Sequence, residues 1–446
     1  MSSLFSKAAA QPQMPACRVR AAVVLAALLG ALSNVAFAAH GPLTLDEATR
    51  LAVERSRLLA AKDLAAQASK DMAVAAGRLP DPILKIGLDN LPVNGPDQFS
   101  TTRDFMTQRR IGLMQELTRA DKRHLRTERY EREAEKSRAE KAAATAAIER
   151  DTAMAWLDRS YAEAMASAVT ELTAQAMREV QAAEAAYRAG RGTQADLVNA
   201  RSALVAFDDR ASEIRGRIAD ATIKLARRIG DAAQRALAEK PATADIALAP
   251  ATLEVQLANH PDIAVLSKQE EIGATEAKLA RAGKKADWSV EVAFQQRGPA
   301  YSNMVSLGVS VPLPWNQKYR QDRELASKLA QVEQAKAERD DALAERVAEV
   351  RALMNKWHTS RERHARYERQ LAPLAQARTA GQLAAYRGGK ASLADVLAAR
   401  NAELAVHLEA LQLEAEAAQL WAQLNFIFPR ERGPAHPAAR ANKDPK

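Results

Sequence analysis

The sequence predicts a mainly α fold with a small β part, built as a tube of long antiparallel helices that carries four short strands. Three observations predict it. One motif occurs in both halves of the chain, each half contains one very long helical stretch, and short apolar–polar alternations precede both stretches. A chain of 446 residues, 47% of them hydrophobic, is also long and apolar enough to bury an extended core.

The N-terminus is typical of an export signal. The basic residues Arg18 and Arg20 precede an apolar run at 21–32, and a small-residue Ala-Phe-Ala site follows it. A membrane anchor is the alternative, but it needs roughly 18 unbroken apolar residues, and Ser33 interrupts this run. We therefore predict a cleaved signal peptide at 1–38.

Composition and charge argue against several functions. The net charge of +9 arises from 64 Lys and Arg interleaved with 55 Asp and Glu, without the motifs of nucleic-acid binding, so we expect no nucleic-acid partner. The only cysteine, Cys17, lies ahead of the apolar run, so the exported chain should contain no disulfide. The seven histidines form no catalytic or metal-ligating pattern, and we expect neither an enzyme nor a cofactor.

A repeated motif divides the chain into two similar halves. The shared pattern is Tyr-Arg-x-Gly, an Asp after five further residues, an aliphatic residue, and then Ala-Arg after two more. It occupies 187–201 in the first half and 386–400 in the second. We predict a first repeat at 39–249 (helix, two strands, long helix, short helix, connector), a second at 250–428 and a polar tail at 429–446.

Each half contains one very long helical stretch. The first, 119–189, has neither proline nor glycine and is a rod of roughly 100 Å. The second, 320–386, is nearly as long, and Pro373 should kink it near its far end. Four helices of about half that length flank the rods: 45–76, 197–229, 253–282 and 393–425. Since two short helices end to end match one rod, the sequence predicts a layered antiparallel tube.

Strand signals precede each rod. Residues 84–88, 110–114, 289–295 and 305–311 alternate apolar side chains with polar or small ones. This pattern fits a membrane barrel with a wet lumen, and the alternative is a small soluble sheet packed on helices. Four strands cannot close a membrane barrel, whose smallest versions have about eight, so strands that enter a membrane require an oligomer.

From residue 43 to about 428 the chain resembles the TolC-type outer-membrane efflux channel family. The doubled Tyr-x-x-Gly-x5-Asp motif and the duplicated element order carry this resemblance. Segments 90–96, 102–106, 311–314 and 320–321 resemble the heavy-metal branch of that family.

The resemblance implies a homotrimer in the outer membrane of a Gram-negative cell. Its four strands per chain would contribute to a twelve-stranded transmembrane β-barrel in lipid, above a periplasmic α-helical barrel.

The resemblance also assigns residues to a closable periplasmic mouth. Asp196 would bond Tyr386 as a latch, and three copies of Asp395 would line the constriction. The chain departs from the family pattern at Ala391, where the family has arginine, and at Ala398, where it has an acid.

The same motif supplies the tips of the two helical hairpins. Tyr187, Gly190 and Gly389 would form the tip turns at which the adaptor docks, by resemblance. Ordinary helix capping is the alternative, because glycine allows the backbone that reverses a helix and Asp196 and Asp395 begin the returning helices.

Together with this resemblance, the observations predict a passive exit duct of a tripartite efflux system. By resemblance it exports heavy-metal cations together with a periplasmic adaptor and an inner-membrane resistance-nodulation-division type pump that is driven by protons. The chain has no phosphate-binding loop, so energy must come from a partner. The alternatives are a duct for organic compounds and a soluble periplasmic adaptor or spacer, which would have one helical hairpin rather than two.

Overall fold

The computed structural model describes residues 41–190 and 193–430, and most of these are helical. The predicted signal peptide and nearly all of the predicted C-terminal tail lie outside the described residues. The first half contains, in order, α1 (Leu45–Arg55), α2 (Arg57–Ala76), β1 (Ile83–Asp89), β2 (Gln108–Leu117), α3 (Ala120–Arg188) and α4 (Gln194–Ile229).

The second half has a similar order of helices and strands. It contains α5 (Leu253–Ala258), α6 (Pro261–Gly283), β3 (Trp288–Gln296), β4 (Met304–Ser310), α7 (Gln321–Arg366), α8 (Ala372–Arg387) and α9 (Leu393–Asn425). Two short 3-10 turns, Gly230–Gln234 and Pro250–Thr252, lie in the segment between the halves. This segment contacts the first described residues, where the Leu43 amide donates to the Ala236 carbonyl at 2.8 Å.

Two helices predicted as continuous are broken in the structure. The prediction of one helix at 45–76 is wrong because Ser56 adopts an extended backbone and its hydroxyl accepts the Leu59 amide, which starts a new helix. The prediction at 253–282 is wrong because Pro261 begins α6, where its missing N–H costs nothing. His260 caps that helix, its Nδ1 accepting the Asp262 amide at 3.2 Å.

The second rod is interrupted where a kink was expected. A π-helical turn, Tyr367–Leu371, separates α7 from α8, and Pro373 follows it at the start of α8. Proline has no N–H to donate to the preceding turn and its ring crowds the carbonyl there, so the extra residue of a π turn relieves both conflicts.

The long helices pack beside pairs of shorter ones, as the sequence predicted. Helix α3 lies against α1 and α2 over one part of its length and against α4 over the other, while α7 contacts α6 and α9. Contacts of α3 with α6 and α9 join the two halves. No described helix has both the length and the apolar character needed to cross a bilayer.

Two apolar cores lie along the helical body. One surrounds Trp156, Trp357 and Trp421 near the two ends of the described residues, and the Trp156 indole donates to the Leu43 carbonyl at 3.1 Å. The other lies nearer the hairpin tips, between α3, α4 and α9, and contains Phe207. Burial of these large side chains, at about 25 cal/mol per Å², holds the helices together.

The strands form a single antiparallel sheet in the order β1–β2–β3–β4. The central pair, β2 and β3, joins the two halves, so β1 and β4 are the edges. In one row across the sheet Ile86 faces Ile111, Ile111 faces Phe294, and Phe294 faces Val305. Because side chains alternate between faces, this register gives the sheet one apolar face and one polar or small-residue face.

Candidate functional site

The two hairpin tips reverse direction at glycines, as the sequence predicted. Gly190 follows α3 with φ of +74°, and Gly389 follows α8 with φ of +69°. Nothing lies within 4 Å of a Cβ added at either position, so the backbone angle rather than crowding favours glycine. The Gly389 amide donates to the Tyr386 carbonyl at 3.0 Å, and the Gly190 amide donates to the Tyr187 carbonyl at 2.9 Å. Both tips therefore use the same reversal.

Asp395 belongs to a capping box at the start of α9. Its Oδ2 accepts the Ser392 amide at 2.9 Å and the Ser392 hydroxyl at 2.7 Å, while the Asp395 amide donates back to that hydroxyl. The hydrogen bonds from the Ser392 side chain and backbone lower the pKa of this carboxyl. Asp395 is exposed, so one side chain both caps the helix and presents a negative charge at the tip.

The two tyrosines of the motif differ in their surroundings. Tyr386 is partly buried against the tip core, whereas Tyr187 is exposed on the surface. Asp196 is the third residue of α4, and its side chain lies outside the described residues, so the latch to Tyr386 stays a prediction.

A buried ion cluster beside Tyr386 was missed by the sequence analysis. Arg400 donates to Glu179 on α3 at 2.6 Å and to Glu403 on its own helix at 3.2 Å. Arg400 and Glu179 also line, with Tyr386, a cavity of about 470 Å³. Arg400 thus joins the second hairpin to the first. The repeated Ala-Arg pair was the signal that could have found it.

The corresponding arginine of the first half is placed differently. Arg201 donates to Glu184 at 3.0 Å, within its own hairpin, and its side chain is 65% exposed against 10% for Arg400. The two copies of the motif therefore share the tip turn but not the contact between hairpins.

The apolar face of the sheet is open to solvent in the single chain. Leu307 is 79% exposed and Ile86 is 76% exposed, near the middle of their strands. The other exposed members are Leu84, Leu88, Ile111, Leu113, Leu117, Trp288, Val292, Phe294, Val305 and Val309. Soluble monomeric proteins rarely expose so large a continuous apolar surface.

The opposite face of the sheet is polar. Lys85 and Arg110 both donate to Glu291, so this contact spans β1, β2 and β3. Next to it Gln295 donates to the Ser306 hydroxyl at 2.7 Å. In the described ranges, His, Cys, Asp and Glu form no group of three that could hold a metal ion.

The fold is similar to that of outer-membrane channel proteins of known structure. The chain is similar to the outer membrane protein VceC from Vibrio cholerae, with a TM-score of 0.70 and 19% identity over 86% of this chain and 95% of that one. It is similar to CusC, a transmembrane channel, with a TM-score of 0.72 and 16% identity over 85% and 92%.

A further match is the open state of the MtrE outer membrane channel from Neisseria gonorrhoeae, with a TM-score of 0.66, 16% identity and coverage of 86% and 88%. No protein-family model matches this chain, and no curated protein matches it. These similarities confirm the predicted combination of a mostly helical body and a four-stranded antiparallel sheet.

Proposed function

We propose that this chain is the passive outer-membrane duct of a tripartite efflux system in a Gram-negative cell. Its sheet enters the outer membrane and its helices extend into the periplasm. The observation that carries the proposal is the open apolar face of the sheet, at one end of a long helical body whose fold is shared with outer-membrane channels. A lipid environment covers such a face without any further protein layer.

Aromatic side chains at the two ends of the sheet support a membrane position. Exposed Trp288 and Trp315 lie at the border between the sheet and the helices, while exposed Phe99 and Phe105 lie in the loop at the opposite end. Aromatic side chains at both ends of an apolar band are typical of strands that cross a bilayer.

The edges of the sheet support a homotrimer. β1 and β4 each have a neighbour on one side within the chain, and an unpaired strand edge is not tolerated in lipid. Pairing β4 of one copy with β1 of the next closes the ring, and three copies supply the twelve strands of a small transmembrane barrel. Helix α2 also exposes Leu64 and Val74, as a helix that packs against another copy would.

The hairpin tips form the closable mouth in this proposal. Asp196 and Tyr386 act as the latch, Asp395 lines the constriction, and the turns at Gly190 and Gly389 with Tyr187 receive the periplasmic adaptor. The ionised, exposed carboxylate of Asp395 supports the constriction role, because three copies would place negative charge around a narrow opening. The inner-membrane partner is a resistance-nodulation-division type pump.

The cargo that we propose is a heavy-metal cation, on the resemblance of the loop and strand-end segments to that branch, with organic compounds as the alternative. A soluble adaptor is disfavoured because the chain forms two helical hairpins joined by a sheet. Growth of a deletion strain with metal salts and with organic toxins, with and without the restored gene, separates the two cargoes.

The function is tested by recording the purified protein in planar bilayers and measuring its oligomeric mass in the same detergent. We expect a trimer that gives small, cation-selective currents. A monomer that stays soluble without detergent and gives no currents would contradict the duct and restore the adaptor alternative.

A further inference from the structure

The polar face of the sheet carries a compact charge cluster, which we call the sheet charge cluster: Lys85, Arg110, Glu291 and Asp89. Lys85 on β1 donates to the Glu291 carboxylate on β3 at 2.7 Å, and Arg110 on β2 donates to its other oxygen. Asp89 lies 4.0 Å from Arg110. One carboxylate thus receives two cations from two different strands.

Gly112 makes the contact between Lys85 and Glu291 possible, which reaches across the intervening strand β2. Lys85 must reach across β2 to meet Glu291, a distance of about two strand spacings, each roughly 4.8 Å. In the row that starts at Lys85, the β2 residue is Gly112 and the β3 residue is Ala293. A Cβ on Gly112 would lie 3.0 Å from the Ala293 Cβ. Glycine therefore both fits beside Ala293 and leaves the path open for the lysine side chain.

Glu291 lies deepest in the cluster. Its side chain is 18% exposed, whereas that of Lys85 is 42% exposed, so the cations cover the carboxylate. With Glu291 and Asp89 ionised, the cluster has no net charge. Without Glu291, the polar face would present two cations against one carboxylate at this level.

We propose that Glu291 is the residue that sets ion selectivity at the sheet end of the duct. This inference rests on the proposed function, in which the polar face lines the lumen. In three copies, Glu291 and Asp89 together balance the six cationic side chains of Lys85 and Arg110 on the wall. Removing the three Glu291 carboxylates leaves a ring with three uncompensated positive charges. Charged rings in a pore attract ions of opposite sign and repel those of like sign.

The test compares variants of the full-length mature oligomer in a planar bilayer under a KCl gradient. Glu291→Gln is expected to shift the reversal potential towards anions and to lower the cation-to-anion permeability ratio by about threefold or more. Lys85→Met alone removes a cation and is expected to shift the reversal potential in the opposite direction. The mouth is the same in every variant, so differences in reversal potential between the variants come from the sheet charge cluster.

The double variant Glu291→Gln with Lys85→Met separates charge from structure. It restores the net charge of the cluster, so the permeability ratio should return close to that of the unmodified protein, whereas a purely structural defect would persist. Normal currents with an unchanged ratio in both single variants would overturn the inference and leave the duct intact. No current from the unmodified protein would instead contradict the proposed function itself.

Discussion

Arg400 joins one hairpin to the other through a buried ion cluster. Its guanidinium meets one carboxylate from α3 and one from α9, and all three side chains are largely buried. Breaking a buried ion pair leaves a charge that neither water nor a partner stabilises, which is costlier than the loss of a surface pair.

Removing this arginine should therefore destabilise the hairpin pair. We expect Arg400→Met to lower the free energy of unfolding by about 3 kcal/mol, because Glu179 and Glu403 would then face each other without a cation. Arg201→Met is the matched control, at the same motif position but exposed, and should cost less than about 1 kcal/mol. Urea denaturation of both variants measures the difference, and equal midpoints would show that the cluster is not stabilising.

Asp395 has an observed role as a helix cap and a proposed role at the constriction, and mutation can separate the two. Asp395→Asn removes the charge, and we expect it to weaken cation selectivity at the mouth. Ser392→Ala removes the hydroxyl of the capping box but keeps the carboxylate, so it should lower helix stability by about 1 kcal/mol and leave selectivity unchanged. Reversal potentials in a salt gradient distinguish the two, and identical values for all three proteins would leave Asp395 as a cap only.

His260 makes stability depend on pH. Burial of the ring, and secondarily the Arg346 guanidinium, lower its pKa to about 4, although Asp262 and Glu349 act in the opposite direction. The imidazole is thus neutral in the folded chain down to about pH 4, whereas in the unfolded chain it gains a proton below about pH 6.5. Stability from this group is complete above pH 6.5 and falls as the pH drops towards 4.

The size of this effect can be measured by substitution. His260→Asn keeps a side chain that caps α6 but does not titrate. Between pH 7 and pH 4.5 we expect the variant to lose about 2 kcal/mol less stability than the unmodified protein. Urea midpoints at the two pH values give the comparison, and parallel losses in both proteins would show that His260 does not cause the dependence.

At the scale of elements, the long periodic segments were predictable and their interruptions were not. The first rod was expected at 119–189 and is observed at Ala120–Arg188, because apolar periodicity over many turns determines a helix. The break at Ser56 depends on one hydroxyl and one backbone rotation, which periodicity does not register.

The candidate site was likewise predictable only where its causes are local. The tip turns follow from glycine and aspartate within one short motif. The Arg400 contact joins residues 221 positions apart, so no local pattern contains it.

The backbone angle at the tip turn predicts that alanine has opposite effects on stability at two glycines of the second hairpin. Gly389→Ala should destabilise α8 and its return by about 1 kcal/mol, because φ of +69° is strained for any residue with a Cβ. Gly381→Ala is the control, inside α8 with free space around a Cβ, and should stabilise by about 0.5 to 1 kcal/mol. Thermal unfolding should move in opposite directions, and a loss at both sites would contradict this explanation.

At the scale of the whole molecule, the two faces of the sheet differ in polarity. In the proposed membrane position Leu307 points to lipid and its neighbour Ser306 points to the lumen. This pairing gives a direct test of which face is buried in the bilayer.

We expect Leu307→Lys to impair insertion, since a lysine on the lipid side near the bilayer centre costs about 2 to 4 kcal/mol per chain. Ser306→Lys places the same group on the other face and should leave the amount of protein in the outer-membrane fraction nearly unchanged. Fractionation and detergent-resistant trimer bands measure both. Equal insertion of the two variants would contradict the assignment of the faces.

The pairing of β2 with β3 also governs the order in which the molecule folds. Residues 110 and 295 are neighbours in the sheet, although nearly two hundred positions separate them in the chain. Closing so long a loop is slow compared with forming a helical hairpin, whose contacts are local. The first strand pair must therefore wait, with the edge of β2 unpaired, until the second half has been synthesised. During that interval the chain depends on whatever shields unfolded strands from aggregation.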